Sequence, residues 1–286
     1  MKVEEKRTQN ERIREVFYGQ LAKDFACSAE ELRSPENVFV PKKLIPGRRL
    51  FFSDAYLFQA VSLRGKAVFT AEEGVLGELR EAAKDLPAEW LSMNGSLEIL
   101  SGIANRHGYR LNGQHHYYLP LGNGFCPPEG PRAPEGAELR WYEKGEFEPF
   151  RLGNGFCPPE GAEIRWYEKG EFEPFRGDPR FTHALGFLPS APDILGVTAS
   201  FEGEIAGFAA ASEDSPEMWQ IGIDVVPAYR GRNIGPFLTA LLKDEILKRG
   251  AVPYYGTAES HLQSQAVALK AGFFPVWWEV HTEKLP

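Results

Sequence analysis

Between Trp219 and Gly250 the apolar positions change period once, and that change divides a strand from a helix. Trp219, Ile221, Ile223 and Val225 alternate with Gln220, Gly222 and Asp224, the period of two of an extended chain rich in β-branched residues. Pro227 ends the run. From Ile234 the period lengthens: Ile234, Leu238, Leu242 and Ile246 fall four apart with Phe237 and Leu241 beside them, so one helical face is apolar. Lys248 and Arg249 fall in the last turn, where the helix dipole favours cations, and Gly250 suits the left-handed residue that ends a helix. A short basic turn, Tyr229 to Asn233, joins the two elements.

The same reading along residues 1–120 gives a smaller N-terminal α/β domain, within the usual domain size. Thr8 to Glu11 spells a capping box, and Ile13, Val16, Phe17 and Leu21 follow at helical spacing. Cys27 to Leu32 reads as a short helical turn. Asn37 to Val40, Arg49 to Phe52, Ala55 to Val61 and Ala67 to Thr70 read as short strands, with turns at Pro46-Gly47 and Gly65-Lys66. Helices are predicted near Gly74 to Ala83 and Ser96 to Ala104, then a strand from Tyr109 to Leu119. No catalytic motif falls in this part.

Toward the C-terminus, Gly177 to Pro192 reads as a loop with a short helix at Phe181 to Leu185. Ile194 to Phe201 and Glu204 to Ala211 are strands joined as a hairpin by Glu202-Gly203. Val252 to Ala258 is a further strand, in which Pro253 is tolerated because it falls at the start. Ser260 to Gln263 spells a second capping box, opening a helix through Ala266, Leu269 and Lys270 to Gly272, and Phe274 to Thr282 is the final strand.

Residues 121–189 hold an internal duplication and a connector. The string LGNGFCPPEG-AELRWYEKGEFEPFR begins at Leu121, interrupted by Pro131 to Gly136, and begins again uninterrupted at Leu152; the aligned copies differ only at Leu139 against Ile164. Two copies are too few for a solenoid, which takes about three or more repeats. Each copy reads as a Pro/Gly loop followed by a hairpin, with Leu139 and Trp141 alternating with Glu138, Arg140 and Tyr142, and Lys144-Gly145 at the turn. One hairpin packs on the fold; the other needs new apolar contacts, remains an exposed edge, or forms a homodimer contact.

Composition narrows the function. The 286 residues, 43% hydrophobic and 13% aromatic, suffice for one large or two modest domains with ample core. A net charge of -8 without a basic run argues against a nucleic-acid partner. Three cysteines make neither a CxxC motif nor an even disulfide framework, which points to a reduced, cytoplasmic setting; Cys126 and Cys157 are copies of one another. The charged opening MKVEEKRTQNER is not a signal peptide, and no apolar run approaches membrane-spanning length. His115 and His116 are adjacent on a strand, point to opposite faces, and make no zinc spacing, so no metal is expected.

The basic turn is where chemistry is expected. A helix N-terminus leaves backbone N–H groups unpaired and carries partial positive charge. Gly231 and Gly235 let a ligand approach the backbone closely, and Arg230 and Arg232 add mobile positive charge, so a diphosphate suits the place. Pro236 lacks one donor but is tolerated in a first helical turn. Val225, Pro227, Tyr229, Arg230, Gly231 and Gly235 resemble the signature of the GNAT superfamily of N-acetyltransferases: an Arg or Gln, two residues, Gly, one residue, then Gly or Ala, at the end of a strand that closes in Val-x-Pro-x-Tyr-Arg-Gly. Asn233 stands where the family usually has Gly, and Asn tolerates the left-handed conformation well. His261, Ser264, Val267, Ala268, Lys270, Gly272 and Phe273 resemble the second family motif, with His261 in place of the usual Asn and Ala268 where many members carry a Tyr general acid.

The resemblance implies a mixed, mostly antiparallel sheet flanked by helices over residues 190–286, an acetyl-CoA-binding core, preceded by an N-terminal α/β domain whose element order also suits a degenerate copy of that fold. It implies acetyl-CoA as co-substrate and direct acetyl transfer to a small-molecule or peptide amine in a ternary complex, without nucleic acid or membrane. The central strand and the Val252 to Ala258 strand would run parallel and splay apart. Val225 and Val226 would meet the pantetheine, and Arg230, Gly231, Arg232, Asn233, Ile234 and Gly235 the diphosphate, with Ser264 also at the cofactor. Asp224, Glu259 and His261 are the catalytic candidates, and Glu213 a further carboxylate near a strand end. A non-catalytic acyl-CoA sensor and an interaction module on the same fold are the alternatives. The family sheet has one strand more than the C-terminal segment supplies, so residues 1–120 must lend it or the sheet is short.

Overall fold

The structure is a computed structural model that describes residues 3–50, 54–120, 159 and 161–286. Its fold is mixed α/β. Ten strands among the described residues join in one sheet: β1 (Val38–Pro41), β2 (Phe58–Leu63), β3 (Lys66–Ala71), β4 (Tyr109–Leu119), β5 (Glu163–Glu168), β6 (Asp193–Phe201), β7 (Glu204–Ser212), β8 (Met218–Val225), β9 (Val252–Ala258) and β10 (Phe274–Lys284). Their order is β1-β3-β2-β10-β4-β9-β8-β7-β6-β5. Only β1–β3 and β8–β9 are parallel; the other neighbours are antiparallel. The helices are α1 (Val3–Asp24), α2 (Glu73–Ala83), α3 (Asn94–Arg106), α4 (Ile234–Lys248) and α5 (Leu262–Lys270). No helix among the described residues is long and apolar enough to cross a membrane.

The extra strand comes from the N-terminal part. β4 lies between β9 and β10, pairing Tyr118 with Tyr255 on one side and Leu119 with Phe274 on the other. Residues 1–120 and 190–286 therefore share one hydrogen-bonded sheet. Each face is covered as the apolar spacing requires. Ile13, Phe17 and Leu21 of α1 are 1–2% exposed and pack with Tyr117, Tyr254 and Trp277. Val75 and Leu79 of α2 and Leu100 and Ile103 of α3 bury against Phe58, Phe69 and Trp278. Ile234, Leu238, Leu242 and Ile246 of α4 meet Ile221, Val197 and Ala209 of the sheet. At about 1.5–3 kcal/mol for each fully buried large aliphatic side chain, this contact holds α4 against β8.

A buried ionic knot ties the N-terminal segment to the last strand. Arg49 donates from Nε to Asp24 Oδ2 at 2.5 Å and from its backbone N–H to Asp24 Oδ1 at 2.8 Å, and its guanidinium also bonds Glu279 of β10. Trp277 Nε1 donates to Glu279 at 2.6 Å, and the rings of Tyr117, Tyr254 and Trp277 lie 5.4–5.7 Å from the guanidinium. Beside it Leu50 N–H donates to the carbonyl of Asp214, and the Asp214 carboxylate accepts from Ser212 Oγ and from the Tyr254 hydroxyl. Burial pushes the Asp214 carboxyl up to about 6, against the pull of those two bonds.

Several local expectations need correction. α1 starts at Val3, so Thr8 to Glu11 lies inside the helix rather than capping it. Arg49 and Leu50 belong to no strand, because the buried ion pair and the Asp214 contact take their backbone; Phe51 and Phe52 lie outside the described residues. At α5 the N-cap is His261 and no side chain caps it, so Ser260 and Gln263 do not form the box. Phe181 to Leu185 is a set of turns closed by one Leu185 N–H to Phe181 carbonyl bond, not a helix. The second copy of the duplication forms one strand, β5, followed by a 3-10 turn at Glu173–Phe175, because Tyr167, Phe172 and Phe175 turn inward onto Phe208 instead of pairing as a hairpin. The first copy, with Leu139, Lys144-Gly145 and Cys126, lies outside the described residues, as does Cys157.

Other details match. The Glu202-Gly203 turn has φ of 50° and 82°, the double left-handed conformation that suits a two-residue hairpin. Gly250 has φ 89° just beyond the end of α4. β9 gains its first β4 partner at Tyr255, so Pro253 falls before that ladder begins.

Candidate active site

β8 and β9 part company midway. Their parallel pairing runs from Met218–Val252 to Ile221–Tyr255 and stops. Beyond it β8 stays paired to β7 as far as Val225–Gly207, and β9 stays paired to β4 as far as Ala258–His115. The strands therefore splay as the resemblance implies. At the parting, a Cβ on Gly256 would stand 2.7 Å from the Tyr117 ring and 3.1 Å from Gln220 Nε2, so those side chains cover that face of β9 closely.

The splay opens into a cleft of about 830 Å³. One wall is the basic turn. Gly231 (φ 81°) and Asn233 (φ 57°, ψ 18°) are both left-handed, which bends the chain straight from β8 into α4. The first helical bond is Phe237 N–H to the Asn233 carbonyl at 3.1 Å. Among the described residues, nothing accepts from the amides of Gly231, Arg232, Asn233, Ile234 or Gly235. Five open donors at a helix N-terminus form an anion cradle.

Of the expected cofactor contacts, Val225, Arg230, Gly231, Asn233, Ile234 and Ser264 line the cleft. Val226, Arg232 and Gly235 do not. The Val226 amide is taken by the Ala206 carbonyl at 2.9 Å and its carbonyl by the Tyr229 amide, so it has no free backbone donor for a pantetheine. Arg232 stacks over the Tyr229 ring at 5.3 Å. Arg230 Nε donates to the Val225 carbonyl at 3.2 Å. Ser264 Oγ lies 2.8 Å from the Tyr255 hydroxyl, which also borders the cleft; burial pushes that phenol up to about 12. Ala268 is fully buried among core side chains, so that position does not face the cleft.

The expected acid–base residues separate. Asp224 and His261 line the cleft; Glu259 and Glu213 do not. Glu259 stands 3.4 Å from His116 Nε2 on the outer side, while His115 borders the cleft, so the adjacent histidines do face apart. Asp224 projects from the face of β8 opposite α4. Its Oδ2 accepts from the backbone N–H groups of His183 at 2.7 Å and Ala184 at 2.9 Å, and its Oδ1 lies 3.1 Å from His183 Nδ1. The 182–184 loop lies over β8 here. His183, Tyr255, Thr182 and Asp193 all line the cleft and were not singled out from the sequence. His183 falls in an aperiodic loop that shows no tie to Asp224; Tyr255 reads as one more strand residue.

The residues that build this cleft match a known domain. The family model described as acetyltransferase (GNAT) family covers residues 161–273. No curated protein matches the chain. Among solved structures, a GCN5-related N-acetyltransferase-like protein from Streptococcus suis 89/1591 is 15% identical, with 80% of this chain and 84% of that one covered and a TM-score of 0.42. A GNAT-family acetyltransferase from Colwellia psychrerythraea is 12% identical over 67% and 63%, with a TM-score of 0.37. An aminoglycoside N-acetyltransferase, AAC(6')-Iy, in complex with CoA is 24% identical over 40% and 92%, with a TM-score of 0.31. Residues 161–273 of this chain are thus a domain of the acetyltransferase (GNAT) family.

Proposed function

We propose that the protein transfers the acetyl group of acetyl-CoA directly to an amine, small-molecule or peptide, within a ternary complex. One observation carries this reading: the parted edges of β8 and β9 border a single cleft with Gly231, Asn233 and Ile234, three residues of the turn whose amides are open. The amides and the helix dipole suit the diphosphate. The edge of β8 left unpaired beyond Ile221 suits the amides of a pantetheine arm, with Val225 rather than Val226 offering the contact. A free N–H on that edge would stabilise the charge that grows on the thioester oxygen as the amine attacks. Holding amine and thioester side by side in the cleft supplies much of the rate. Tyr255, kept protonated by burial, is the phenol available to return a proton to the departing sulfur.

Titration calorimetry with acetyl-CoA, followed by thiol release across a panel of amines, tests the reading. Saturable binding with amine-dependent release of CoA is expected. Binding without turnover would favour the non-catalytic sensor, and absence of binding would remove both readings in favour of an interaction module.

A further inference from the structure

We propose that His183 is the proton-accepting residue of the cleft and that Asp224 is its positioning residue. The inference rests on the acetyl-transfer reading and assigns one role within it. Asp224 was the natural candidate for the base, but its carboxylate is committed: Oδ2 accepts two backbone amides of the 182–184 loop and Oδ1 meets His183 Nδ1. The side chain is 17% exposed, whereas the His183 ring is 77% exposed and borders the cleft.

The partner fixes the chemistry of the ring. An ionised carboxylate only accepts hydrogen bonds, so Nδ1 carries the proton in the neutral imidazole and Nε2 keeps its lone pair. A carboxylate that orients an imidazole and stabilises the imidazolium is the arrangement that makes histidine an effective base. The loop is also held in place: Gly222, the first β8 residue past the last β9 pair, has the His183 carbonyl directly over its α-carbon, so the ring is anchored at the mouth of the splay. Other titratable groups bordering the cleft include His115 of β4, Asp193 of β6, Arg230, Tyr255 of β9, His261 before α5 and Lys270 of α5. Asp193 is occupied by the Gly186 and Phe187 amides.

The step balances. The acceptor arrives as an ammonium ion, and Nε2, directly or through one water, takes one proton to leave a neutral amine. The amine nitrogen bonds to the thioester carbon, the carbon–sulfur bond breaks, and sulfur leaves with the bonding pair and gains a proton. The Tyr255 hydroxyl gives sulfur that proton and regains one as the second proton lost by nitrogen, and the imidazolium releases the first to solvent. The products are amide, CoA thiol and one proton.

Two measurements on the full chain test this. Nitrogen-15 histidine spectra, with the His183 signals assigned by their loss in His183→Gln, should show the Nδ1–H tautomer, shifting toward Nε2–H in Asp224→Asn. A ring already Nε2–H in the unaltered protein, or one indifferent to Asp224→Asn, overturns the pairing. With an accepted amine, His183→Gln should lower kcat about 100-fold or more while the KM for acetyl-CoA stays within about twofold. His183→Gln alters an exposed side chain, so its folding is not at risk, and a kcat within about threefold of the unaltered protein overturns this inference alone. An unaltered protein that binds acetyl-CoA but turns over no amine overturns the acetyl-transfer reading and the role of His183 with it.

Discussion

A methyl group placed on the α-carbon of Gly222 would stand 2.1 Å from the backbone carbonyl oxygen of His183 and 3.0 Å from that of Ala184. A backbone carbonyl cannot swing aside as a side chain can. The glycine is therefore what lets the 182–184 loop lie flat on β8 and reach Asp224.

Gly222→Ala should lift that loop and break its bonds to Asp224. A stability loss of about 1–3 kcal/mol is expected, as for other overpacked sites, with turnover reduced more than stability alone explains. Acetyl-CoA affinity should persist, because the amides of residues 231–235 are untouched. Urea unfolding and calorimetry on the same variant check both halves; loss of acetyl-CoA binding would contradict the separation of the two walls.

Gly231→Asp sets a negative charge inside the cradle meant for a diphosphate. Juxtaposed like charges cost several kcal/mol, so affinity for acetyl-CoA should fall at least about 100-fold. Gly231→Asn is the control, since Asn tolerates φ 81° far better than other residues and adds no charge. It should keep most of the affinity. Equal affinities for the Asp and Asn variants in calorimetry would rule out an electrostatic cradle.

Arg49→Ala should be strongly destabilising, because the Arg49 side chain is only 9% exposed. It would leave the carboxylates of Asp24 and Glu279, each 8% exposed, facing one another without their cation. Breaking a buried pair in this way costs about 3–5 kcal/mol. The midpoint of urea unfolding should drop accordingly, and Arg49→Met paired with Asp24→Asn and Glu279→Gln should recover part of the loss. A single variant as stable as the unaltered chain would show the knot to be dispensable.

Asp214 should make stability fall as pH rises through the weakly acidic range. Its folded value, about 6, lies above the ordinary 3.8, so the native state holds the proton more tightly than the unfolded chain. The stabilisation is complete below about pH 4 and is lost as pH rises through about 6, amounting to about 3 kcal/mol. His281, lowered to about 4 by burial, has the opposite slope: its stabilisation is present above its ordinary 6.5 and is lost as pH falls toward 4. The two overlap, so the readout is the difference in unfolding free energy between the unaltered protein and Asp214→Asn from pH 4 to 7. That difference should shrink steadily with rising pH; a flat difference would place the titration elsewhere.

Periodicity made the C-terminal elements legible. The switch from alternation in Trp219–Val225 to a spacing of four from Ile234 marks a strand and a helix that the structure contains, and Gly231, Asn233 and Gly250 take the left-handed angles their positions require. Local signals misled where a tertiary contact outbid them. Arg49 and Leu50 look extended but are claimed by Asp24 and Asp214. The Ser260–Gln263 box is passed over for a start at Leu262. The second Trp-Tyr-Glu segment gives one strand because its aromatic residues find Phe208. His183 was illegible for a different reason. Its partner, Asp224, lies in another element, and no local pattern records a contact between a loop and a strand so far apart in sequence.

The place of β4 in the sheet bears on how the protein comes into being. β9 and β10 are made after the other described strands and close together, yet in the finished sheet a strand from the N-terminal part lies between them. A nascent chain emerging from the ribosome must keep Tyr109–Leu119 waiting, edges unsatisfied, until both of its neighbours have been synthesised. Such distant pairing slows folding and leaves a raw strand open to foreign partners meanwhile. A fragment cut to residues 161–273 would lack both β4 and β10, and so would expose one whole side of β9 to solvent. Expression of the acetyltransferase domain alone should accordingly yield aggregate, and co-expression with residues 1–120 would not restore it without the final strand.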